Sequence, residues 1–240
     1  MFVFPMVGLS NRFIRAGYQG PKYMLPLWGE TVFHQVVRSF DRYFHHDEFL
    51  FICRDNEEET TFIKQVLHEL KVKHYRLSLL RSPTLGQAQT VALGLQEAVV
   101  SDSEELYIFN IDTFRPGFTK PITAALSDAW LEVFKGDGDN WSFVLPGTSQ
   151  RVLQTTEKER ISDLCSDGLY YFKHKKWFMQ AYQNATQNGQ LTRGEYYVAP
   201  LYNHLIAQGL DVRYGFVAIE EVTFCGTPEE YEFLLSRSLA

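Results

Sequence analysis

The chain has 240 residues, 45% hydrophobic and 15% aromatic, with a formal net charge of -6. This is the composition of a folded domain with a sizeable core, and it excludes a disordered chain. The acidic balance argues against broad nucleic-acid or anionic-membrane binding, while leaving room for a small anion in a local basic pocket.

Cys53, Cys165 and Cys225 are widely spaced, with no CxxC pair. They read as buried small hydrophobes and speak against a zinc knuckle or a disulfide framework. No leader-like segment or membrane-length apolar run is present, so a cytoplasmic location is expected, with no membrane partner.

In chain order, Phe2 to Val7 is a short apolar run of the kind that forms an internal parallel strand. Thr31 to Phe44 sets Val32, Val36, Val37 and Phe40 on one helical face, with Thr31 as cap. Glu48 to Cys53 predicts a second strand, Glu58 to Leu70 a second helix, Lys73 to Leu80 a third strand and Gly86 to Val100 a third helix. Glu105 to Ile111 predicts a fourth strand that ends at Asp112.

The second half is less regular. Strands are expected at Trp141 to Leu145, Arg151 to Thr155, Leu169 to Phe172 and Val212 to Ile219. Helices are expected at Lys176 to Asn188, Tyr196 to Gln208 and Pro228 to Leu235, the last with Thr227 as N-cap and Pro228 at its first position. Gly136 to Asp139 reads as a turn. Strands alternating with helices imply an α/β fold with a mostly parallel sheet and helices on both faces.

Such sheets bind ligands beyond the carboxyl ends of their strands, where three features fall. The first is the loop Gly8-Leu9-Ser10-Asn11-Arg12, whose backbone N–H groups suit an anion and which is followed by Pro21-Lys22. It is neither a dinucleotide GxGxxG nor a P-loop, and alone it could be an ordinary strand-to-helix turn. Arg12 and Lys22 raise its meaning, since a guanidinium forks across phosphate oxygens and an ammonium is a mobile point charge. The second is Thr84 to Gln89, where Gly86 permits close backbone approach and Gln87 and Gln89 could bond a base, or simply start a helix. The third is Asp112, able to hold Mg²⁺ against phosphates or merely to cap an element.

Together these residues resemble the sugar-phosphate nucleotidyltransferases, also called nucleoside-diphosphate-sugar pyrophosphorylases, over nearly the whole chain. The resemblance rests on Gly8 to Arg12, Pro21-Lys22, Gly86-Gln87-Ala88-Gln89, Asp112, Glu157-Lys158, Gly168, Glu195 and Gly226-Thr227-Pro228-Glu229, in that order. It implies a three-layer αβα sandwich with a mixed, mostly parallel Rossmann-like sheet, in one domain spanning 1–240. Residues 1–115 would form a nucleotide-binding half and 116–240 an acceptor-binding half.

It further implies transfer of a nucleoside monophosphate from a triphosphate to a phosphorylated acceptor, most simply a sugar 1-phosphate for surface polysaccharide, with release of pyrophosphate. Arg12, Lys22 and Asp112 would be catalytic. Gly8, Leu9, Ser10, Asn11, Gly86, Gln87 and Gln89 would hold the nucleotide, and Glu157, Lys158, Gly168 and Glu195 the acceptor. Mg²⁺ would sit on Asp112.

Two departures stand out. Ser10 takes a place where many members have glycine, and Phe224 one where many have a second metal-binding aspartate. Glu221 or Glu220 would then supply that carboxylate, or the metal would use one protein ligand and more water. Activation of a non-sugar phosphate such as a phosphocholine- or phosphoamino-acid-like compound stays open, as do a family A-type glycosyltransferase and an inactive regulatory domain. A homo-oligomer is compatible with all of these.

Overall fold

The computed structural model describes residues 1–237. Strands are β1 (Phe2–Pro5), β2 (Phe49–Arg54), β3 (Tyr75–Leu80), β4 (Leu106–Ile108), β5 (Ala129–Lys135), β6 (Ser142–Pro146), β7 (Val152–Glu157), β8 (Leu164–Phe172) and β9 (Val212–Phe216). Helices are α1 (Asn11–Arg15), α2 (Val32–Arg38), α3 (Glu57–Glu69), α4 (Gln87–Glu97), α5 (Ile122–Ala125), α6 (Lys175–Gln187), α7 (Tyr202–Ala207) and α8 (Pro228–Ser236).

One nine-stranded sheet runs in the order β7-β6-β8-β4-β1-β2-β3, with β5 pairing β8 and β9 off that path. Strands β4, β1, β2 and β3 are mutually parallel. Strand β8 pairs antiparallel with β4, β5 and β6, and β6 with β7, while β9 pairs parallel with β5.

Period-2 alternation divides the core. Phe2 and Phe4 of β1 face the same side as their register partners Phe49 and Phe51 of β2, with centroids 5.1 and 5.0 Å apart. Burying each ring contributes roughly 1.5–3 kcal/mol. Val3, Leu50 and Ile52 point to the other side. The first face is covered by α2, α3 and α8 through Val36, Ile63 and Leu234, and the second by α4, α6 and α7 through Val91, Phe178 and Leu205. Three layers result, as expected of this α/β class. All three cysteines are buried and free.

Several elements differ from expectation. The helix predicted over Thr31 to Phe44 ends at Arg38, because Phe40 leaves helical geometry at φ -114° and packs on Phe2 and Phe109. Strand β4 stops at Ile108, three residues short of Ile111, where its antiparallel partner β8 reaches Tyr170 and breaks into a bulge.

Strand β5 was not anticipated. It is a seven-residue buried strand with Glu132 at its centre, and the acid disguises the apolar run. The strand expected at Leu169 to Phe172 begins at Leu164 and carries a bulge between Ser166 and Tyr170. The helix expected from Tyr196 shrinks to α7 after a 3₁₀ turn at Ala199–Leu201, since Pro200 has no N–H to give and is tolerated only in the first turn of a helix.

Candidate active site

Strands β2 and β3 follow β1 on one side, while β4 lies on its other side. The order in which strands are added therefore reverses between the parallel neighbours β1 and β4, and a crevice opens at their carboxyl ends. A cleft of about 930 Å³ occupies this position. It is lined by Gly8, Leu9, Ser10, Asn11 and Arg12 after β1, by Lys22, Gly86 and Gln87, and by Asp112, which β4 leads into. Glu157 at the end of β7, Gly168 in the β8 bulge, and Glu195 line the same cleft.

Ser10 stands at φ +53°, just ahead of the short helix α1. Its hydroxyl accepts the backbone N–H of Lys22 at 3.0 Å and so ties the loop to the lysine. A glycine there would relax the backbone more cheaply but would forfeit that bond. The Lys22 ammonium is ion-paired with Asp112 Oδ2, both side chains being about one-fifth exposed (23% and 19%). Arg12 makes no salt bridge among the described residues and is exposed to the cleft.

Asp112 is held from the far end of the chain. Its carbonyl accepts the Cys225 N–H at 2.8 Å, and Thr113–Phe114 pairs antiparallel with Thr223–Phe224. Thr227 caps α8 as expected, accepting the Glu230 N–H at 3.2 Å. The Glu230 carboxylate in turn accepts the N–H groups of Gly226 and Thr227 at 2.8 and 3.0 Å. This capping box fixes Gly226 against the Asp112 carboxylate.

Two glycines let separate segments meet. Gly86, at φ +100°, has Tyr196 backbone where its Cβ would fall, 2.7 Å from the carbonyl oxygen. The same segments exchange Tyr196 N–H to Leu85 O (2.7 Å) and Ala88 N–H to Tyr196 O (2.9 Å), which carries Glu195 and Tyr197 to the cleft. Gly168, at φ +95°, would put a Cβ 2.0 Å from the Asn110 amide nitrogen. Asn110 packs there and accepts a hydrogen bond from Gln87 Nε2 at 2.5 Å.

Three expected site residues lie elsewhere. Gln89 does not line the cleft, and its Oε1 accepts the Leu85 N–H, so it braces the loop instead of meeting a base. Lys158, at φ +57°, donates to the Tyr197 hydroxyl and lies 4.3 Å from that ring's centroid, outside the lining. Glu221 is corrected as a metal ligand: it is exposed, accepts the Ala218 N–H at 3.3 Å and sits 3.7 Å from Arg115. Phe224 packs on Trp141 and Phe134, with centroids 4.9 and 5.2 Å apart.

Other groups were missed from sequence. Asp167, in the bulge beside Gly168, is fully buried; one oxygen accepts the Leu169 N–H at 3.0 Å and the other has no partner. Burial, then the neighbouring Glu132, pushes its carboxyl well above the usual range. Arg115 donates to Glu132 at 2.7 Å, so a single guanidinium faces two buried acids, and the charge of Glu132 adds to burial in disfavouring the ionised Asp167. An aspartate inside a nine-residue strand was the available signal. Burial likewise raises the Glu157 carboxyl, countered by the Ser142 hydroxyl that donates to it and by Lys158. Burial and Glu195 raise Tyr197. Tyr197 and Trp141 also line the cleft, and nothing in their local sequence separates them from core aromatics.

A nucleoside-diphosphate-sugar pyrophosphorylase from Vibrio cholerae superposes with a TM-score of 0.95 at 45% identity, over 99% of this chain and 100% of that one. The chain belongs to the nucleoside-diphosphate-sugar pyrophosphorylase family. It is an enzyme of the nucleotidyltransferase type.

More distant pyrophosphorylase-like structures share the fold. An inositol-1-phosphate CTP transferase from T. maritima has a TM-score of 0.73 at 16% identity, over 98% of this chain and 94% of its own. A UDP-glucose pyrophosphorylase solved with UDP-glucose has a TM-score of 0.75 at 13% identity, over 98% and 96%. No family model and no curated protein matches the sequence.

The family implies a divalent metal. Among the described residues no three His, Cys, Asp or Glu side chains are grouped to hold one. Asp112 alone fits a Mg²⁺ ion that keeps most of its waters and takes its remaining ligands from substrate phosphates. No helix among the described residues is long and apolar enough to cross a membrane.

Proposed function

We propose that the protein transfers a nucleoside monophosphate from a nucleoside triphosphate to a phosphorylated acceptor, a sugar 1-phosphate in the first instance. The products are a nucleoside-diphosphate sugar for surface polysaccharide and pyrophosphate, made in the cytoplasm. The observation that carries this reading is the convergence of Arg12, Lys22 and Asp112 on the crevice between β1 and β4, in one cleft with Glu157 and Glu195.

An acceptor phosphate oxygen attacks the α-phosphorus, and the bond to the bridging oxygen breaks, with pyrophosphate leaving on that electron pair. The reaction needs alignment and charge neutralisation more than covalent help. Arg12 and Lys22 bind triphosphate oxygens and stabilise the charge that builds on them. The Gly8 to Asn11 backbone and Gln87 orient the nucleotide. Glu195 and Glu157 accept hydroxyl or amine protons of the acceptor. Mg²⁺ held by Asp112 would supply further neutralisation of the phosphates.

One observation favours a second acceptor class. Trp141 and Phe224 form an aromatic wall, the carboxylates Asp137, Glu157 and Glu195 line the same cleft, and the nearby cation Lys158 is taken up by Tyr197. Such a surface suits a phosphorylated acceptor with an amine or quaternary ammonium group.

The test is a pyrophosphate-release screen of four or five triphosphates against sugar 1-phosphates and cationic phosphomonoesters, with Mg²⁺. Turnover with one panel selects the acceptor class. Release of a nucleoside diphosphate from an added nucleoside-diphosphate sugar would indicate a glycosyltransferase instead. Nucleotide binding with no turnover on any acceptor would indicate a regulatory domain.

A further inference from the structure

The Lys22–Asp112 ion pair joins the two groups that nucleotidyl transfer would use separately, one on phosphate and one on metal. Lys22 is set in that place by its surroundings. Pro21 precedes it in extended geometry, a 3₁₀ turn begins at Lys22, and Ser10 accepts its backbone N–H. Asp112 is equally constrained, since its carbonyl holds the Cys225 N–H and Gly226 lies against its carboxylate, where a Cβ would come within 3.0 Å of Oδ2.

The C-terminal segment that packs beside Asp112 brings it no free carboxylate from its cleft-lining residues. Phe224 packs its ring on Trp141 and Phe134, Glu221 points to Arg115, and Glu230 is bonded to the amides of Gly226 and Thr227. A divalent ion entering the free protein would meet one carboxylate already neutralised by an ammonium. It would have to displace that ammonium while gaining a single protein ligand, a poor exchange for a strongly hydrated cation. A triphosphate changes the balance, because its oxygens offer Lys22 a new partner and bring the metal's other ligands with them.

Resting on the nucleotidyl-transfer reading above, we infer that Lys22 stands in for the divalent cation on Asp112 until a triphosphate draws it away. The protein therefore has no metal site of its own: metal and nucleotide enter together, and Phe224 keeps the free site from capturing metal alone. Lys22 thus acts as a gate on metal binding in addition to its role on phosphate.

The experiment titrates Mn²⁺ into the full chain and reads free Mn²⁺ by electron paramagnetic resonance. It is run without nucleotide and with a triphosphate analogue carrying a methylene bridge between its α- and β-phosphorus atoms, against protein-free controls. Wild type alone should show no saturable binding up to about 1 mM, a weak-site range for oxygen-ligand cations. With analogue it should bind Mn²⁺ beyond the control.

Lys22→Met, checked for folding by near-ultraviolet circular dichroism, should bind Mn²⁺ without nucleotide at least about tenfold more tightly than wild type, as expected when a like charge is removed from the ligand. Phe224→Asp should do the same by adding a carboxylate, and Lys22→Gln stands in should Lys22→Met fail to fold. Equal Mn²⁺ affinity in wild type with and without analogue would overturn the inference, as would folded Lys22 variants no tighter than wild type. Failure of every analogue to bind, followed calorimetrically, would instead overturn the nucleotidyl-transfer reading itself.

Discussion

The residues before and after about position 115 build their shares of the cleft by different means. In the first part, parallel strands end at a common edge, and the chain leaving β1 and β4 delivers Arg12 and Asp112 to the crevice. In the second, antiparallel strands deliver Asp167 and Gly168 through a bulge, while Glu195 and Tyr197 arrive on a coil that bonds to residues 85–88. A parallel sheet makes its ligand edge from topology. An antiparallel one must break its own ladder to aim a side chain, with a bulge as the usual device.

The largest effect should come from breaking the first part. Lys22→Ala or Asp112→Ala should lower pyrophosphate release by about a thousandfold, the range for removing a charge-stabilising group, with the melting transition nearly unchanged. A folded variant of either kind with full turnover would refute the assignment of these residues.

Breaking the junction of the two parts should register as stability. Gly168→Ala combines a positive φ with a Cβ that meets Asn110, and should cost about 2–4 kcal/mol in denaturant unfolding. A cost below about 0.5 kcal/mol, the level of an ordinary surface change, would mean the Asn110 contact yields easily.

A pH series sharpens the comparison within the bulge. The folded carboxyl of Asp167 is raised, so the stability it contributes is present in acid and lost as pH rises through its folded value. Asp167→Asn keeps the size of the side chain and removes the titration. The variant should gain on wild type by about 1–3 kcal/mol at the alkaline end of urea melts. Parallel pH profiles for the two proteins would contradict a raised Asp167 carboxyl.

The smallest effect is expected on the acceptor side. Tyr197→Phe frees Lys158 from the hydroxyl it bonds. It should raise KM for the acceptor about fivefold, the worth of one hydrogen bond, and leave KM for the nucleotide unchanged. Equal shifts in both constants would place Tyr197 outside acceptor binding.

Much of the first part was legible because its signals are local. Short apolar runs alternating with amphipathic helices gave the parallel strands, and a Gly/Ser/Asn loop after the first of them marked the anion-facing turn. Thr227 and Pro228 announced α8 in the same way. The second part resisted reading because its decisive contacts join distant residues. Glu132 looks like a break in an apolar run until Arg115 is seen beside it. Gln89 resembles a base contact until its amide is found on Leu85. Lys158 looks like a phosphate ligand until Tyr197 claims it.

The sequence by itself thus determined the α/β class, the β1 loop with Arg12, the order of motifs and the substitution of an aromatic ring at Phe224. These follow from period, side-chain type and spacing, which are properties of short segments. Only the tertiary structure decided that Lys22 rests on Asp112, that Asp167 shares its burial with Glu132, and that Glu221 turns to Arg115. The physical reason is that a charge takes its partner from whatever packing brings within reach, and the partners here come from strands and loops up to 106 residues apart, as from Arg115 to Glu221.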